Sequence, residues 1–244
     1  MKRWIAFSSI FWKDVRTYYL KPPNISWGLI FPFAWALMLF IRSESVLDIR
    51  SIVPGVVAMS ILFGTTSLLA VTITFEKRRN TFDRLLLAPI SFELLMLAKT
   101  SGAILFGVFN ALVPIAVGAA FVGLSGMEWV SLMLGVVLIA VSSTFLGLFV
   151  AVSVAEVFEA QTLSNFFRFP MMFLCGLFFP ISRLPAFLRP ISYVLPLTYG
   201  ADILHGAVTY RHQLPLWLDF AVLLVFCAAL FALSLRNIKR KWIM

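Results

Sequence analysis

Hydrophobic residues in this chain come in long blocks, and charged residues are confined to the gaps between them. Charge-free runs cover Ile25–Ile41, Ser51–Phe75, Thr100–Met127, Trp129–Ala155, Phe169–Ser182 and Phe220–Leu235. A membrane-spanning helix needs roughly 20 mainly apolar residues. The second, third and fourth runs reach that length directly, and the first sits at the short end. The fifth and sixth reach it by including Arg168 and Asp219 near their ends. The blocks are apolar on all sides, whereas strands of a transmembrane barrel alternate polar and apolar residues. One such run could be the buried helix of a soluble core; six in 244 residues could not be hidden in one. The pattern predicts an all-α polytopic membrane protein with six spans, at 25–41, 52–75, 100–122, 129–154, 165–181 and 216–235.

Two further segments follow a different pattern. In residues 1–22, Trp4, Phe7, Phe11 and Val15 recur at helical spacing with Ser8 and Tyr18, while Lys2, Ser9, Lys13 and Arg16 fall opposite. Aromatic residues on one face and cations on the other describe an amphipathic helix lying in the headgroup plane. A signal peptide is excluded, because Lys13-Asp14 breaks the apolar stretch and no small-x-small site follows. Pro22-Pro23 is expected to end this helix. Residues 182–215 are apolar but interrupted by Pro185, Pro190, Pro196, Gly200 and Gly206. They predict short broken helices re-entering part-way from the outer face, where irregular backbone needs protein or a water-lined cavity beside it. Phe178, Phe179, Pro180 and Tyr199 are therefore the candidate residues around an outer exit.

Composition agrees: 61% of residues are hydrophobic, 13% are charged, and mean hydropathy is +0.97. A net charge of +9 could suggest nucleic acid, but the positions of the charges explain it better. With both termini in the cytoplasm, the inner segments hold fifteen of the 20 Lys and Arg residues, and the outer segments hold Arg42, Arg50, Arg183, Arg189 and Arg211. That asymmetry is the positive-inside signature. No nucleic-acid partner is expected.

Most of the usual chemistry is missing from the sequence. There is no P-loop, no H-E-x-x-H, no G-x-S-x-G and no cluster with metal-ligand spacing. Cys175 and Cys227 fall in separate spans as packing residues, and His205 and His212 have no evident partner. The first four spans carry no charge, Arg168 is placed to snorkel from the inner end of the fifth, and Asp219 lies near the outer end of the sixth. An ion-driven pump would have little machinery in such a chain. An intramembrane enzyme would lack a nucleophile with its base.

The densest charge lies in "FEKRRNTFDRLLLAPIS", Phe75–Ser91, with six charges between Glu76 and Arg84. Phe82, Leu85, Leu86 and Leu87 would give a short helix an apolar side, and Lys77, Arg78, Arg79, Asp83 and Arg84 a polar one. Pro89 bounds it. On the residues alone, this stretch is either a solvated loop that sets orientation or a docking element.

Two stretches carry a resemblance. "FLCGLFFPISRLPAFLRPISYVLPLTYGADILHGA" (Phe173–Ala207) resembles the apolar-Gly-Phe-Phe-Pro, Leu-Pro, Leu-Pro-Leu-Thr-Tyr pattern of permease subunits of type-2 ABC exporters, the drug-resistance and lipo-oligosaccharide kind. The Phe75–Ser91 loop is similar to that family's Glu, basic cluster, Gly-Thr-x-Glu, Leu-Leu, Pro-Ile-Ser stretch, with Asn80 in place of Gly and Asp83 in place of Glu. The resemblance implies a permease that works as a homo- or heterodimer. Two copies of a separate ATPase subunit, which bind ATP and Mg, would dock on the inner face, and this chain would have no cofactor or catalytic residue of its own. It implies that 76–91, with Glu76, Lys77, Arg78, Arg79, Phe82, Asp83, Arg84 and Pro89, couples to the ATPase. Glu76→Lys or Asp83→Lys is accordingly expected to leave expression and topology intact and abolish transport. The alternative reading is a channel or secondary carrier that needs no partner.

Overall fold

In the computed structural model, which describes residues 2–42, 48–122, 126–238 and 240, the apolar runs fold as helices, and there is no strand among the described residues. In chain order the helices are α1 (Lys2–Asp14), α2 (Pro22–Ile25), α3 (Phe31–Arg42), α4 (Ile49–Arg78), α5 (Thr81–Leu86), α6 (Phe92–Val122), α7 (Trp129–Ser153), α8 (Val157–Leu174), α9 (Arg189–Tyr193), α10 (Pro196–Thr209) and α11 (Leu216–Ile238). Four of them, α4, α6, α7 and α11, are long and apolar enough to cross a membrane. The apolar helix over Ser26–Arg42 is shorter.

α4 is the central rod. Over its most apolar window it is 89% buried, against 39% for α6 and 22% for α11. It touches α3, α6, α7, α8 and α10. Its 30 residues correspond to about 45 Å of helix. A Cβ on Gly147 of α7 would overlap the Thr66 carbonyl of α4, so only glycine lets these two backbones approach so closely. Val57, Met59, Leu62 and Phe63 of α4 meet Ile139 and Ala140 of α7 and Leu197 and Leu204 of α10 in the main core.

Several boundaries differ from the sequence expectation, each for a local reason. α6 begins at Phe92, about two turns before the predicted span, because Lys99 is enclosed by the protein and does not end the helix. α8 begins at Val157 inside a stretch expected to be an inner loop. A reciprocal capping box between Glu156 and Glu159 satisfies its first amides. Pro22 opens α2 as well as following the N-terminal helix, since proline is tolerated in a first helical turn. The proline-rich outer segment forms a 3-10 turn at Ile181–Arg183, then α9 and α10. α10 is buried along most of its length.

A closed ring of charges fixes the end of the bundle where α1, α4 and α6 meet. Lys13 Nζ lies 2.7 Å from Asp14 Oδ1 and 2.5 Å from Glu76 Oε1, and Lys99 Nζ lies 3.1 Å from Asp14 Oδ2 and against Glu76 Oε2. Two cations and two carboxylates alternate, so the ring is neutral. Asp14 and Lys99 are 0% exposed and Glu76 is 1% exposed. The ring ties α1 to α4 and α6. Tyr19, just beyond α1, adds a hydrogen bond from its hydroxyl to the Lys99 carbonyl, 3.1 Å. Burial works to lower the pKa of the Lys13 ammonium, but the charges and hydrogen bonds of Asp14 and Glu76 outweigh it and hold it above the usual lysine value. Its contribution is therefore present at neutral pH and is lost only as pH rises through the lysine range.

From the ring the chain turns sharply into α5. Asn80 makes that turn with φ 55°, in the left-handed region, and Thr81 Oγ1 donates to the Glu76 carbonyl at 2.9 Å.

Two outcomes follow for the detergent-solubilised chain. Lys99→Met leaves two buried carboxylates facing one cation and should cost about 3–5 kcal/mol, whereas Arg78→Ala, which breaks an exposed pair, should cost under about 1 kcal/mol. Equal thermal midpoints for the two variants would show that the ring carries no stability. Asn80→Gly should fold as well as the parent, while Asn80→Val should lose about 1–2 kcal/mol because a β-branched residue resists the left-handed turn.

Candidate coupling surface and outer cleft

The charged loop divides into a buried base and an exposed crest. Glu76 belongs to the base: its carboxylate is committed to Lys13 and Lys99. Glu76→Lys would set three cations around one buried carboxylate, so it tests the foundation of the loop rather than its exposed surface, and the expectation of intact expression passes to Asp83→Lys alone. Phe82 is also at the base, 0% exposed, in a cluster with Ile10, Ile73, Leu95 and Met96. It anchors α5 to α1, α4 and α6. Leu85 and Leu86 are half-buried against the same cluster.

The crest carries the remaining predicted residues. Arg78, Arg79, Asp83, Arg84 and Pro89 are exposed and Lys77 is half-buried. Arg78 pairs with Glu156 at 2.6 Å, linking α4 to the start of α8, and the Arg79 guanidinium lies 4.1 Å from the Phe75 ring centroid. Leu87 departs from its expected inward position and is 86% exposed. The crest is thus a rigidly mounted surface of mixed charge with one projecting leucine.

On α1, Trp4, Phe7 and Phe11 form a ladder of rings with centroids 5.8 and 6.3 Å apart. Trp4 is exposed, and Phe7, Phe11 and Val15 are half-buried. The most enclosed positions of α1 are Ile10 and Asp14, so its protein-facing stripe is rotated from the aromatic one.

Arg168 is buried, not snorkelled. It is 0% exposed, donates Nη1 to the Phe63 carbonyl half-way along α4 at 3.1 Å, bonds Asn165, and lies 4.7 Å from the Phe63 ring centroid. It has no acidic partner among the described residues. Around it runs a band of rings: Trp27–Phe31 at 5.5 Å, Phe31–Phe63 at 4.7 Å, Phe63–Phe169 at 5.9 Å and Trp35–Phe173 at 5.6 Å. Trp27, Phe169 and Phe173 are partly open on the faces of the first apolar helix and α8.

At the opposite end from the charge ring, Phe178, Phe179 and Pro180 line a cleft of about 500 Å3 together with His205 and Tyr210. Tyr199 does not join them. Its hydroxyl donates to the Tyr193 carbonyl at 2.7 Å, and its ring sits with Ile203 and Leu223. Burial holds the His205 imidazole below its usual pKa against the opposing pull of the Leu177 carbonyl and Asp202.

Sequence reasoning missed Asp14, Lys99 and the enclosure of Arg168. Each is a charged side chain whose buried partners lie on other helices, so no local pattern marks it.

Comparison with known proteins accounts for this arrangement. Residues 5–209 match the family described as ABC-2 type transporter. The chain is 25% identical to the inner membrane transport permease YadH of Escherichia coli K12, an alignment covering 97% of this chain and 96% of that one. It is 22% identical to the probable multidrug ABC transporter permease YbhR of the same organism, over 62% of this chain and 42% of that one. It is 25% identical to nodulation protein J of Sinorhizobium fredii, over 82% and 77% respectively. The match spans helices α1 to α10, including the buried ring, the charged loop and the broken outer segment, and the chain belongs to the ABC-2 type transporter family.

Proposed function

We propose that this chain is the membrane-spanning permease subunit of an ABC exporter of the inner membrane, with six spans and both termini cytoplasmic. The two spans beyond the four long helices are the Ser26–Arg42 helix and α8. α1 lies along the inner surface, and α9 and α10 re-enter from the outer side. The permease acts as a dimer, homo- or heteromeric. Two copies of a separate ATPase subunit, holding ATP and Mg, dock on the crest of α5 and drive an amphipathic, lipid-linked or drug-like substrate outward.

The observation that carries this reading is the mounting of α5. An orientation-setting loop needs only its charge; nothing requires it to be pinned by a buried phenylalanine and a four-membered ion-pair ring with three of its members buried. A surface that receives a push does require such a foundation. The aromatic band on α3, α4 and α8, and an apolar hollow of about 400 Å3 between α3, α4 and α6, support a cargo with a large apolar body. Phe178, Phe179 and Pro180 at the outer cleft suit its exit. A carrier that works alone would need a titratable group at mid-depth. Arg168 does not serve, because a guanidinium keeps its proton.

Asp83→Lys and Arg84→Glu alter only the exposed crest. Each should express and fold as the parent does, yet reduce transport and substrate-stimulated ATP hydrolysis by the co-expressed ATPase at least tenfold, since reversed charges at a docking surface cost several kcal/mol. Normal transport by both variants would return the loop to a topology-setting role. Transport by the isolated chain in liposomes without nucleotide would favour the carrier.

A further inference from the structure

The middle of α10 and the first turn of α11 bring together two carboxylates and an imidazole that the transport reading does not use. Asp202 lies on α10, Asp219 in the first turn of α11, and His212 in the connection between them. One ligand atom from each lies within 4.8 Å of the others.

The two carboxylates are held differently. Asp202 is 6% exposed, and its oxygens accept the amides of Gln213 and Leu214 at 2.9–3.0 Å. Those bonds fix its position and leave lone pairs free. Asp219 is 0% exposed, and no amide, hydroxyl or cation among the described residues donates to either of its oxygens, whose polar neighbour is the Asp202 carboxyl. A carboxylate sealed from water without a donor is costly, and a second carboxylate beside it adds like-charge repulsion. A cation between them removes both costs.

His212 completes the set. The chain leaves α10 through Tyr210 in the left-handed conformation (φ 59°), and the returning loop lays the imidazole directly over Gly206. Any Cβ at Gly206 would overlap that ring. The imidazole is exposed and borders the outer cleft, which supplies an entry route from outside.

We propose that Asp202, His212 and Asp219 bind one divalent transition-metal ion on the outer side of the protein, zinc being the ion of choice. One imidazole nitrogen and two carboxylates form a mixed nitrogen–oxygen set that suits zinc or manganese, whereas calcium and magnesium take all-oxygen shells. Three protein ligands leave one position open to water. The ion would clip the 210–215 loop to both helices and fix the outer end of α11 against α10. The binding itself stands apart from the transport reading; only the side of the membrane it faces rests on that reading. Its rival is a proton shared between Asp202 and Asp219, which would need neither a metal nor His212.

The test uses the full chain in detergent or nanodiscs, stripped with EDTA and titrated with Zn2+ alone by calorimetry and by thermal midpoint. One Zn2+ per chain is expected, with a rise in midpoint. Asp219→Asn keeps the shape and removes a buried charge, and His212→Ala alters an exposed residue, so both should fold without metal. Each should weaken Zn2+ binding at least tenfold. The proposal is overturned if the parent binds no Zn2+ and its midpoint ignores both Zn2+ and EDTA, the outcome of a shared proton. It is overturned equally if Zn2+ binds and neither variant weakens it, which would place the ion elsewhere.

Discussion

Charge buried without water must be neutralised by charge of the other sign, and the end of the bundle where α1, α4 and α6 meet is built around that constraint. Lys13, Asp14, Glu76 and Lys99 come from three helices distant in sequence. α1 brings one charge of each sign, α4 brings an anion and α6 a cation. The charges of α4 and α6 each need a partner from another helix, and α1 contacts both, Lys13 meeting Glu76 and Asp14 meeting Lys99. Each helix is therefore positioned by the other two. Apolar contacts alone, being tolerant of rotation and sliding, would not impose that register.

The same constraint explains why α5 can be short and yet fixed. A six-residue helix has almost no stability in isolation. Here its start is set by the left-handed Asn80, its first hydroxyl bonds the Glu76 carbonyl, and Phe82 enters the cluster surrounding the ring. The exposed residues inherit their positions from those buried ones. Asp83, Arg84 and Leu87 are presented to the cytoplasm under the transport reading in an arrangement that a partner can recognise.

Much of this was legible in the sequence, and the parts that were not share a cause. The long apolar blocks located α4, α6, α7 and α11 because hydropathy over some twenty residues averages out local detail. The Gly-like turn at Asn80 and the interruption of the outer segment were readable from residues whose backbone preferences are strong. Lys99, Asp14 and Arg168 were misplaced because a charged side chain, read alone, predicts solvent. Its burial depends on partners from other helices, and no local pattern records those. Asp219 and Asp202 were hidden for the same reason: 17 positions apart in sequence, they become neighbours only when α11 folds back on α10.

One helix connects these sites. α4 starts at the outer cleft, where Asp48 caps it by accepting the Arg50 amide, and Asp48, Arg50 and Ser51 line that cleft. Half-way along, its Phe63 carbonyl and ring hold Arg168 of α8. At its inner end Glu76 enters the charge ring. Within the helix the only proline is Pro54, in the first two turns, where its missing donor interrupts little of the ladder. The rest is regular and enclosed, so it has neither a hinge nor room to bend. Under the transport reading, a displacement applied to the crest of α5 is delivered to α4 through Phe82 and the ring, and α4 moves as a rod. Its outer end then shifts relative to the cleft, and Arg168 carries the motion to α8 and its open aromatic face. Coupling over the length of the molecule would require no chain of small rearrangements, only one stiff helix with a charged anchor at its base.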